Sequence, residues 1–429
     1  MNTYYSRQPR AAGLPLRAGV MALAMLAAVP SAHAAGSLLD ALTYGTVSGE
    51  LRYRYEWVDQ EGIANQAKAS TLRTQLGYLT DSYQGFNAFL QFENVAVIGP
   101  AHYNSTTNGK TTYPIVSDPA GTEVNQAFLG YEAGYNTSLK LGRQVIILDN
   151  QRFVGNVSWR QNEQSFDGFN VVNKSLPDTQ ITYAYLADAD RITGDSAVNG
   201  DLHMKTHLIN VAYSGLGVGT LIGYDYLLHD ENQALLGAAS PSTQTLGLRF
   251  TGKHPLAGAT LLYTAEYAKQ SDYANNTANY DEKYAFGEFG ALMNGITAKL
   301  GYEKLGGDGA HSLQTPLATL HAFNGWADKF LVTPKDGIDD TYVSVGKKLY
   351  GVELLASYHD FRSDHMSYNY GTELDLSVGK KINKSLSLLF KYASYNSDKN
   401  ATNTANDTAN KTLFSKDLKK LWLQADVTF

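Results

Sequence analysis

The strongest constraint on the fold of this chain is a succession of short segments in which apolar and polar residues alternate. A period of two is the pattern of a β-strand with one apolar and one polar face. We count about 18 such segments, with about 16 as the alternative. They lie at 47–58, 69–80, 85–96, 122–132, 137–147, 164–174, 179–187, 204–214, 217–229, 242–252, 258–270, 283–293, 296–305, 338–348, 351–363, 366–380, 384–396 and 416–429.

The connections between these segments alternate in length. Short turns such as 81–84 and 133–136 are each followed by a long polar stretch, such as 94–121 and 148–163. Barrels of the bacterial outer membrane have this pattern, because their short turns face the periplasm and their long loops face outside. We therefore predict an all-β fold in which residues 35–429 form a single transmembrane antiparallel β-barrel in contact with outer-membrane lipids.

The C-terminal segment 421–429 supports this fold. Its apolar face carries Leu421, Leu423, Ala425, Val427 and Phe429, and its polar face carries Gln424, Asp426 and Thr428. A final amphipathic strand that ends in Phe resembles the assembly signal of outer-membrane barrels. We predict that Phe429 is recognised by the barrel-assembly machinery and that this strand pairs with 47–58 to close the wall.

The N-terminus has the features of an export signal. Arg7, Arg10 and Arg17 precede an apolar run at 18–29, and Ala32-His33-Ala34 offers a small-x-small cleavage site. The run is shorter than the ~20 residues that a membrane-spanning helix needs. We predict that residues 1–34 are a cleaved secretory signal peptide.

Composition excludes several classes of function. The chain has no Cys, so disulfides, Cys-ligated metal sites and thiol nucleophiles are ruled out. Acidic residues outnumber basic ones, 41 to 35, so there is no basic excess of the kind that nucleic-acid binding requires. We expect no metal site, no cofactor and no nucleic-acid partner.

The first segment shows which face points inward. Its charged face cannot point into lipid, where an Arg or Lys at the bilayer midplane costs about 2–4 kcal/mol. The same parity argument applied along the chain gives the predicted pore-lining residues, which are Glu50, Arg52, Arg54, Glu56, Arg73, Gln91, Glu93, Arg249, Lys299 and Glu303. Barrels of roughly 16 to 18 strands leave an aqueous channel. The charges either pair to brace the wall or select solutes by charge, and both roles can hold at once.

Two segments resemble the alginate-export family of outer-membrane proteins. One runs from Leu141-Gly142-Arg143-Gln144 through Asn150-Gln151-Arg152-Phe153-Val154-Gly155 and Trp159-Arg160 to Phe166-Asp167-Gly168. The other is 314–331, which contains His321-Ala322-Phe323-Asn324-Gly325-Trp326, followed by Thr333-Pro334 and Gly337. The resemblance extends in layout over nearly the whole mature chain. It implies an 18-stranded barrel that acts as a passive channel, and it favours a monomer.

The first of these segments contains a long loop, 148–163, between two strands. Arg152 and Arg160 stand beside Asp149 on this loop, and Arg143 and Asp167 flank it. We predict that these five residues belong to a loop that folds inward and constricts the pore. The alternative is an outer loop held together by its own ion pairs.

The inward-facing charges are of both signs, whereas an exporter of an anionic polymer should have a lumen dominated by Arg and Lys. We therefore expect a porin that passes small hydrophilic or anionic solutes by passive diffusion, with export of an anionic polysaccharide such as alginate as the alternative.

An enzymatic function is not expected. The sequence has no Gly-x-Ser-x-Gly and no His-Glu-x-x-His motif. His203 and His207 share one face of a strand, and parity supplies them with no carboxylate partner.

Overall fold

The computed structural model of the protein describes residues 35–231, 242–399 and 414–429, so the predicted signal peptide lies outside the described residues. It contains 18 antiparallel strands. They are β1 (Thr46–Gln60), β2 (Ala67–Leu79), β3 (Phe86–Val97), β4 (Gly121–Ala133), β5 (Thr137–Gln144), β6 (Ser165–Asn173), β7 (Thr179–Asp190), β8 (Asp201–Tyr213), β9 (Thr220–Leu228), β10 (Thr243–Leu256), β11 (Ala259–Asp272), β12 (Asp281–Met293), β13 (Ile296–Leu305), β14 (Ile338–Leu349), β15 (Val352–Arg362), β16 (Asn369–Lys381), β17 (Leu386–Ser397) and β18 (Leu418–Thr428).

Each strand pairs with its neighbours in sequence, and β1 also pairs with β18, so the sheet closes on itself. Closure leaves no strand edge unpaired, which a lipid environment requires. The predicted fold and the count of 18 are confirmed. No helix in the described ranges is long and apolar enough to cross a membrane. A short helix, α1 (Leu38–Thr43), precedes β1 and is tied to the start of the barrel by the hydroxyl of Tyr78, which donates to the carbonyl of Leu42 at 2.7 Å.

The predicted pairing of the terminal strand is also confirmed. Arg52 lies opposite Asp426, and Arg54 lies opposite Gln424. At the end of this seam the backbone amide of Phe429 donates to the carbonyl of Gly49 at 3.1 Å. A side chain on Gly49 would collide with the Phe429 ring, since a Cβ there would lie 2.2 Å from a ring carbon. A side chain at this position would therefore force the C-terminal ring to move away from β1.

The strands separate two faces with different environments. Outward-facing Leu51, Leu76, Leu248 and Leu300 are exposed, as a lipid-contacting wall requires. Their inward-facing neighbours are mostly buried, because loops at one end of the barrel cover them. Three of these loops, 98–120, 145–164 and 306–337, themselves have many buried residues. We call the end with these loops the loop end, and the other the turn end.

Several predicted strand ends differ from the structure. The strand expected at 242–252 continues to Leu256, and the strand expected at 137–147 ends at Gln144. Gly142 has a φ of +121°, which a residue with a side chain rarely adopts. Beyond it, Ile146 and Leu148 are buried with the loop that follows.

Candidate functional site

The predicted pore-lining residues lie on the inner face of the wall. Nine of the ten are buried, and the tenth, Lys299, has a side chain that is 12% exposed. The structure surrounds them with loop residues and with each other instead of leaving them around an open lumen.

Most of these charges pair across strands. Glu50 on β1 binds Arg52 at 3.1 Å and also binds Arg73 on β2, and Arg52 binds Asp426 on β18 at 2.7 Å. On other strands Lys299 donates to Glu288 at 2.8 Å. Arg249 pairs with Glu266, and Gln91 accepts from Asn125 at 2.9 Å. Pairing of this kind braces the wall.

Arg54 is the exception among the ten. Within the described ranges it forms no salt bridge, and its Nη1 has no hydrogen-bond partner there although the residue is only 1% exposed. Its Nε donates to Gln424 at 2.9 Å, and its guanidinium lies 4.1 Å from the centre of the Trp159 ring. A buried cation without a carboxylate partner is unusual and marks this part of the wall.

The 145–164 loop crosses the interior of the barrel. At one side Arg152 donates to Glu303 on β13 at 2.7 Å, and at the other Arg160 donates to Glu56 on β1 at 3.0 Å. The loop therefore contacts walls far apart around the barrel. From Gln151 to Gln164 all but two of its residues are buried.

Arg160 also joins a second loop. It donates through Nη2 to Asp118 of the 98–120 loop at 2.6 Å. Burial by itself lowers the pKa of Arg160, but the charges of Asp118 and Glu56 outweigh it and raise the pKa above its ordinary value. Burial likewise raises the pKa of Asp118, and the charges of Arg160 and Arg54 together more than reverse this, so that the pKa lies below its usual range. Both groups are therefore held charged.

Asp149 lies where the loop leaves β5. It accepts from Asn210 on β8 at 2.8 Å, which fixes that end of the loop to the wall. Burial raises the pKa of the Asp149 carboxyl, and the hydrogen bond from Asn210 opposes that rise.

Arg143 and Asp167 do not join these residues. They pair with each other at 2.8 Å across β5 and β6, and Arg143 also binds Asp190 at 2.6 Å. Their parity is that of the exposed Leu141 and Phe169, which places them on the outward-facing side of the wall. The prediction placed Arg143 and Asp167 with the loop because they are near it in sequence, whereas strand parity assigns them to the wall.

The 306–337 loop folds against the 145–164 loop. The Gly155 amide donates to the Leu317 carbonyl at 2.9 Å, and the Thr319 amide donates to the Gln151 carbonyl at 3.0 Å. Arg152 completes the junction by donating to Asn324 at 3.0 Å. The two loops thus form one hydrogen-bonded unit inside the barrel, which we call the plug.

Lys391 on β17 is the point at which both loops of the plug meet the wall. Its ammonium lies 4.0 Å from the centre of the Trp159 ring and 3.6 Å from that of Trp326. It donates to Nε2 of His321 at 2.7 Å, and Nδ1 of His321 bonds to Asp328 at 2.8 Å. Burial and the neighbouring charge of Lys391 lower the pKa of His321 to about 3, so this imidazole is neutral at physiological pH.

A cavity of about 200 Å³ lies between the plug and the wall formed by β13–β18 and β1. Its space exists because many inward-facing residues there are small, namely Thr297, Ser344, Gly346, Ser377, Gly379 and Ser387. Trp159, His321 and Trp326 of the plug also line it. It extends to Lys381, Lys384 and Ser385 at the turn end.

The charges that line this cavity are not balanced. Each of its carboxylates is already paired: Glu50 and Asp426 with Arg52, and Glu353 with Lys348 at 3.0 Å. Its four lysines, in the part of the chain that the structure describes, form no salt bridge; they are Lys380, Lys381, Lys384 and Lys391. The cavity therefore has uncompensated positive charge.

Lys391 was not among the predicted pore-lining residues, although strand parity places it on the inner face. Lys391 stands between Phe390 and Tyr392, as Arg249 does between Leu248 and Phe250. No comparable pattern in the sequence predicts the cavity, because the cavity depends on small residues of neighbouring strands lying side by side.

The view that His203 has no carboxylate partner was wrong. Its Nδ1 lies 2.7 Å from Asp188, which is on the adjacent strand and so is invisible to parity within one strand. His207 lies 2.8 Å from the hydroxyl of Tyr183.

Comparison with known proteins gives a family and a set of similar folds. The chain matches the Alginate export family over residues 43–303, which is more than half of its length. No curated protein sequence matches it. Among solved structures, OccK9 (OpdG) of Pseudomonas aeruginosa is similar with a TM-score of 0.68 and 14% identity, over 91% of this chain and 100% of that one.

Two further structures have the same fold. OccAB2 of Acinetobacter baumannii is similar with a TM-score of 0.69 and 15% identity, over 90% of this chain and 98% of that one. OpdL of Pseudomonas aeruginosa is similar with a TM-score of 0.65 and 14% identity, over 90% of this chain and 99% of that one. Each likeness extends over at least 90% of this chain.

Proposed function

Because this chain belongs to the alginate export family, we propose that it is a passive outer-membrane channel for small hydrophilic solutes, with a preference for anions. The observation that carries the proposal is the cavity at the turn end, in which the carboxylates are paired and the lysines are not. Unpaired charge beside water-accessible space attracts solutes of the opposite sign. We further propose that the channel functions as a monomer, which the family resemblance favours, and without catalysis, since the sequence has neither a Gly-x-Ser-x-Gly nor a His-Glu-x-x-His motif.

The test is planar-bilayer recording with the purified, refolded barrel. We expect discrete conductance steps and a reversal potential, under a salt gradient, that favours anions. The absence of discrete steps would refute the channel, and a cation-selective current would refute the preference for anions.

Reversing two of the cavity charges should change this selectivity. In the K381E/K384E double variant we expect the ratio of anion to cation permeability to fall severalfold, more at low salt than at high salt because mobile ions screen the field. The matched control is K347E/K419E, since Lys347 on β14 and Lys419 on β18 are exposed, do not line the cavity and give the same change in net charge. Equal shifts in both variants would show that only the net charge of the barrel matters.

Export of an anionic polysaccharide remains the second candidate, and the unpaired lysines favour it over a cation pathway. A polymer must thread the whole barrel, whereas the plug fills its middle. Export therefore predicts that long oligouronates pass only through a barrel whose plug is displaced, and exclusion of long chains from such a barrel would count against this candidate.

We also propose that Phe429 is the contact for the barrel-assembly machinery. Its ring lies at the end of the β1–β18 seam, against Gly49. We expect F429A to lower the amount of folded barrel in the outer membrane severalfold in cells while leaving refolding of the purified chain in detergent unchanged. If refolding in detergent is impaired to the same degree, the role of Phe429 is in closure of the seam and not in recognition.

A further inference from the structure

The short helix α1 has an apolar face that the rest of the described chain leaves uncovered. Its three leucines, Leu38, Leu39 and Leu42, are 59%, 73% and 53% exposed. With 3.6 residues per turn, these positions fall within an arc of about 100°. Asp40 and Ala41 lie outside this arc, and Ala41 is the buried residue of the helix. The exposed apolar surface of α1 is therefore one stripe, which we call the leucine stripe.

The barrel fixes the orientation of this helix. The hydroxyl of Tyr78 on β2 accepts from the Gly45 amide at 3.0 Å, in addition to its bond to the Leu42 carbonyl. The Asp81 amide donates to the Ala41 carbonyl at 3.0 Å. These bonds use backbone atoms of α1 and of the residue that leads into β1. The direction of the leucine stripe is therefore determined by the strands to which the helix is bonded.

The helix stands at the outer face of the wall. Tyr78 has the parity of Leu76, which is 52% exposed on the outer face of β2. The partner of Tyr78 in register on β1 is Val47, which is 58% exposed and has the outward parity of Leu51. Exposed apolar surface therefore continues from the lipid-contacting wall, through Val47, to the leucine stripe at the turn end.

The place of this surface in the membrane follows from the topology. The turn end of an outer-membrane barrel faces the periplasm. An amphipathic helix at such a boundary buries its apolar face about 5–10 Å into the region between headgroups and acyl chains. The helix has no basic residue, and its one acid, Asp40, accepts from the Ser37 hydroxyl at 2.7 Å away from the stripe. Apolar contact, and not attraction to anionic headgroups, is therefore what the helix offers.

We propose that α1 is an interfacial helix whose leucine stripe inserts among the zwitterionic phospholipids of the periplasmic leaflet and fixes the height of the barrel in the membrane. Continuity with the lipid-contacting wall is the reason for choosing lipid as the occupant. A protein that covered the stripe would also have to displace lipid from the adjoining outer face at Val47. The helix lies outside the barrel, so this proposal goes beyond the proposed channel function and does not depend on it.

The chain has no Cys, so one introduced thiol can carry a label at a single site. A nitroxide is attached to the L39C variant of the refolded barrel in phosphatidylcholine vesicles. Electron paramagnetic resonance then compares its collisions with oxygen, which concentrates in lipid, and with a water-soluble nickel chelate. We expect the ratio of oxygen to nickel accessibility at L39C to exceed severalfold the ratio at S175C, a matched control because Ser175 is exposed on the β6–β7 turn at the same end of the barrel. L300C on the outer face of β13 gives the ratio for a site within lipid.

L38C provides a second labelled site on the stripe, and the heat-dependent electrophoretic mobility of each variant verifies that the barrel has folded. Ratios at L38C and L39C equal to that at S175C would overturn the proposal, because the stripe would then face water. Spin–spin broadening that persists as the lipid-to-protein ratio is raised would also overturn it and would assign the stripe to a second copy of the chain. Adding phosphatidylglycerol should leave the ratios unchanged, and a severalfold increase would contradict apolar contact as the basis of binding.

Discussion

Replacing Arg152 with Met should lower the free energy of unfolding of the barrel by about 3–5 kcal/mol, because it leaves Glu303 as a buried charge without its cationic partner. Arg152 and Glu303 are 2% and 3% exposed at their side chains, and they bond at 2.7 Å. Met preserves most of the volume and removes the charge. Arg152 also bonds to Asn324 of the 306–337 loop, so the variant should release the plug as well and raise the single-channel conductance severalfold.

Chemical unfolding in detergent and bilayer recording measure the two effects. The control is R362M, since Arg362 pairs with Asp360 at the surface with a side chain that is 59% exposed, and exposed pairs contribute only about 0–1 kcal/mol. The R152M/E303M double variant should regain much of the lost stability, because two apolar side chains replace both charges. If the double variant is no more stable than R152M alone, the destabilisation does not come from an unpaired Glu303.

Acidification should release the 306–337 loop from the wall. Burial and the charge of Lys391 lower the pKa of His321 to about 3, whereas in water the group titrates near ~6.5. The released loop therefore binds more protons than the seated loop between these values. The contribution of His321 to the stability of the seated loop is fully present above pH ~6.5 and is lost as the pH falls towards 3. Over this range the equilibrium constant between the seated and the released loop falls by up to about tenfold per pH unit.

The charged groups that face His321 are Lys391, Lys420 and Asp328. Burial raises the pKa of Asp328, but Lys420 and His321 outweigh it and hold the pKa below its usual range. The contribution of Asp328 to the stability of the seated loop is therefore lost only at still lower pH, and its loss also favours release of the loop. Channel current recorded from pH 7 to 4 should rise as the loop is released.

H321Q is the discriminating variant. Gln keeps an acceptor for Lys391 but does not titrate, so we expect a flat response of the current above pH ~4.5, where most carboxylates remain ionised. A pH profile of H321Q that coincides with that of the wild type would assign the response to other groups.

Strand parity predicted the wall well, and the reason is physical. Charges such as Arg52 and Glu56 cannot face lipid, so their parity determines the inner face and the strand positions follow. Arg143 shows the limit of sequence proximity, because it is adjacent to the loop in sequence but shares the parity of the exposed Leu141.

The plug could not be predicted with the same certainty. Its contacts join residues far apart in sequence, such as Arg152 with Glu303 and Gly155 with Leu317, and no local pattern encodes such pairs. The composition of 314–331, with His321, Phe323 and Trp326, indicated an ordered segment, but not which wall it would contact. The cavity depends further on which small residues lie side by side, and the register across β15, β16 and β17 decides that.

The seam between β1 and β18 joins the two ends of the sheet, so it is the last pair of strands for which both partners become available during folding. The plug bonds to each side of it, to β1 through Arg160 and Glu56, and to β18 through Asp328 and Lys420. Before closure these two strands are free to separate, and the plug has no fixed frame to bond to. The plug should therefore take its place only after the β1–β18 seam has closed, and it should then slow the reopening of the seam. The rate at which the seam opens thus depends on loops that contribute no strand to it.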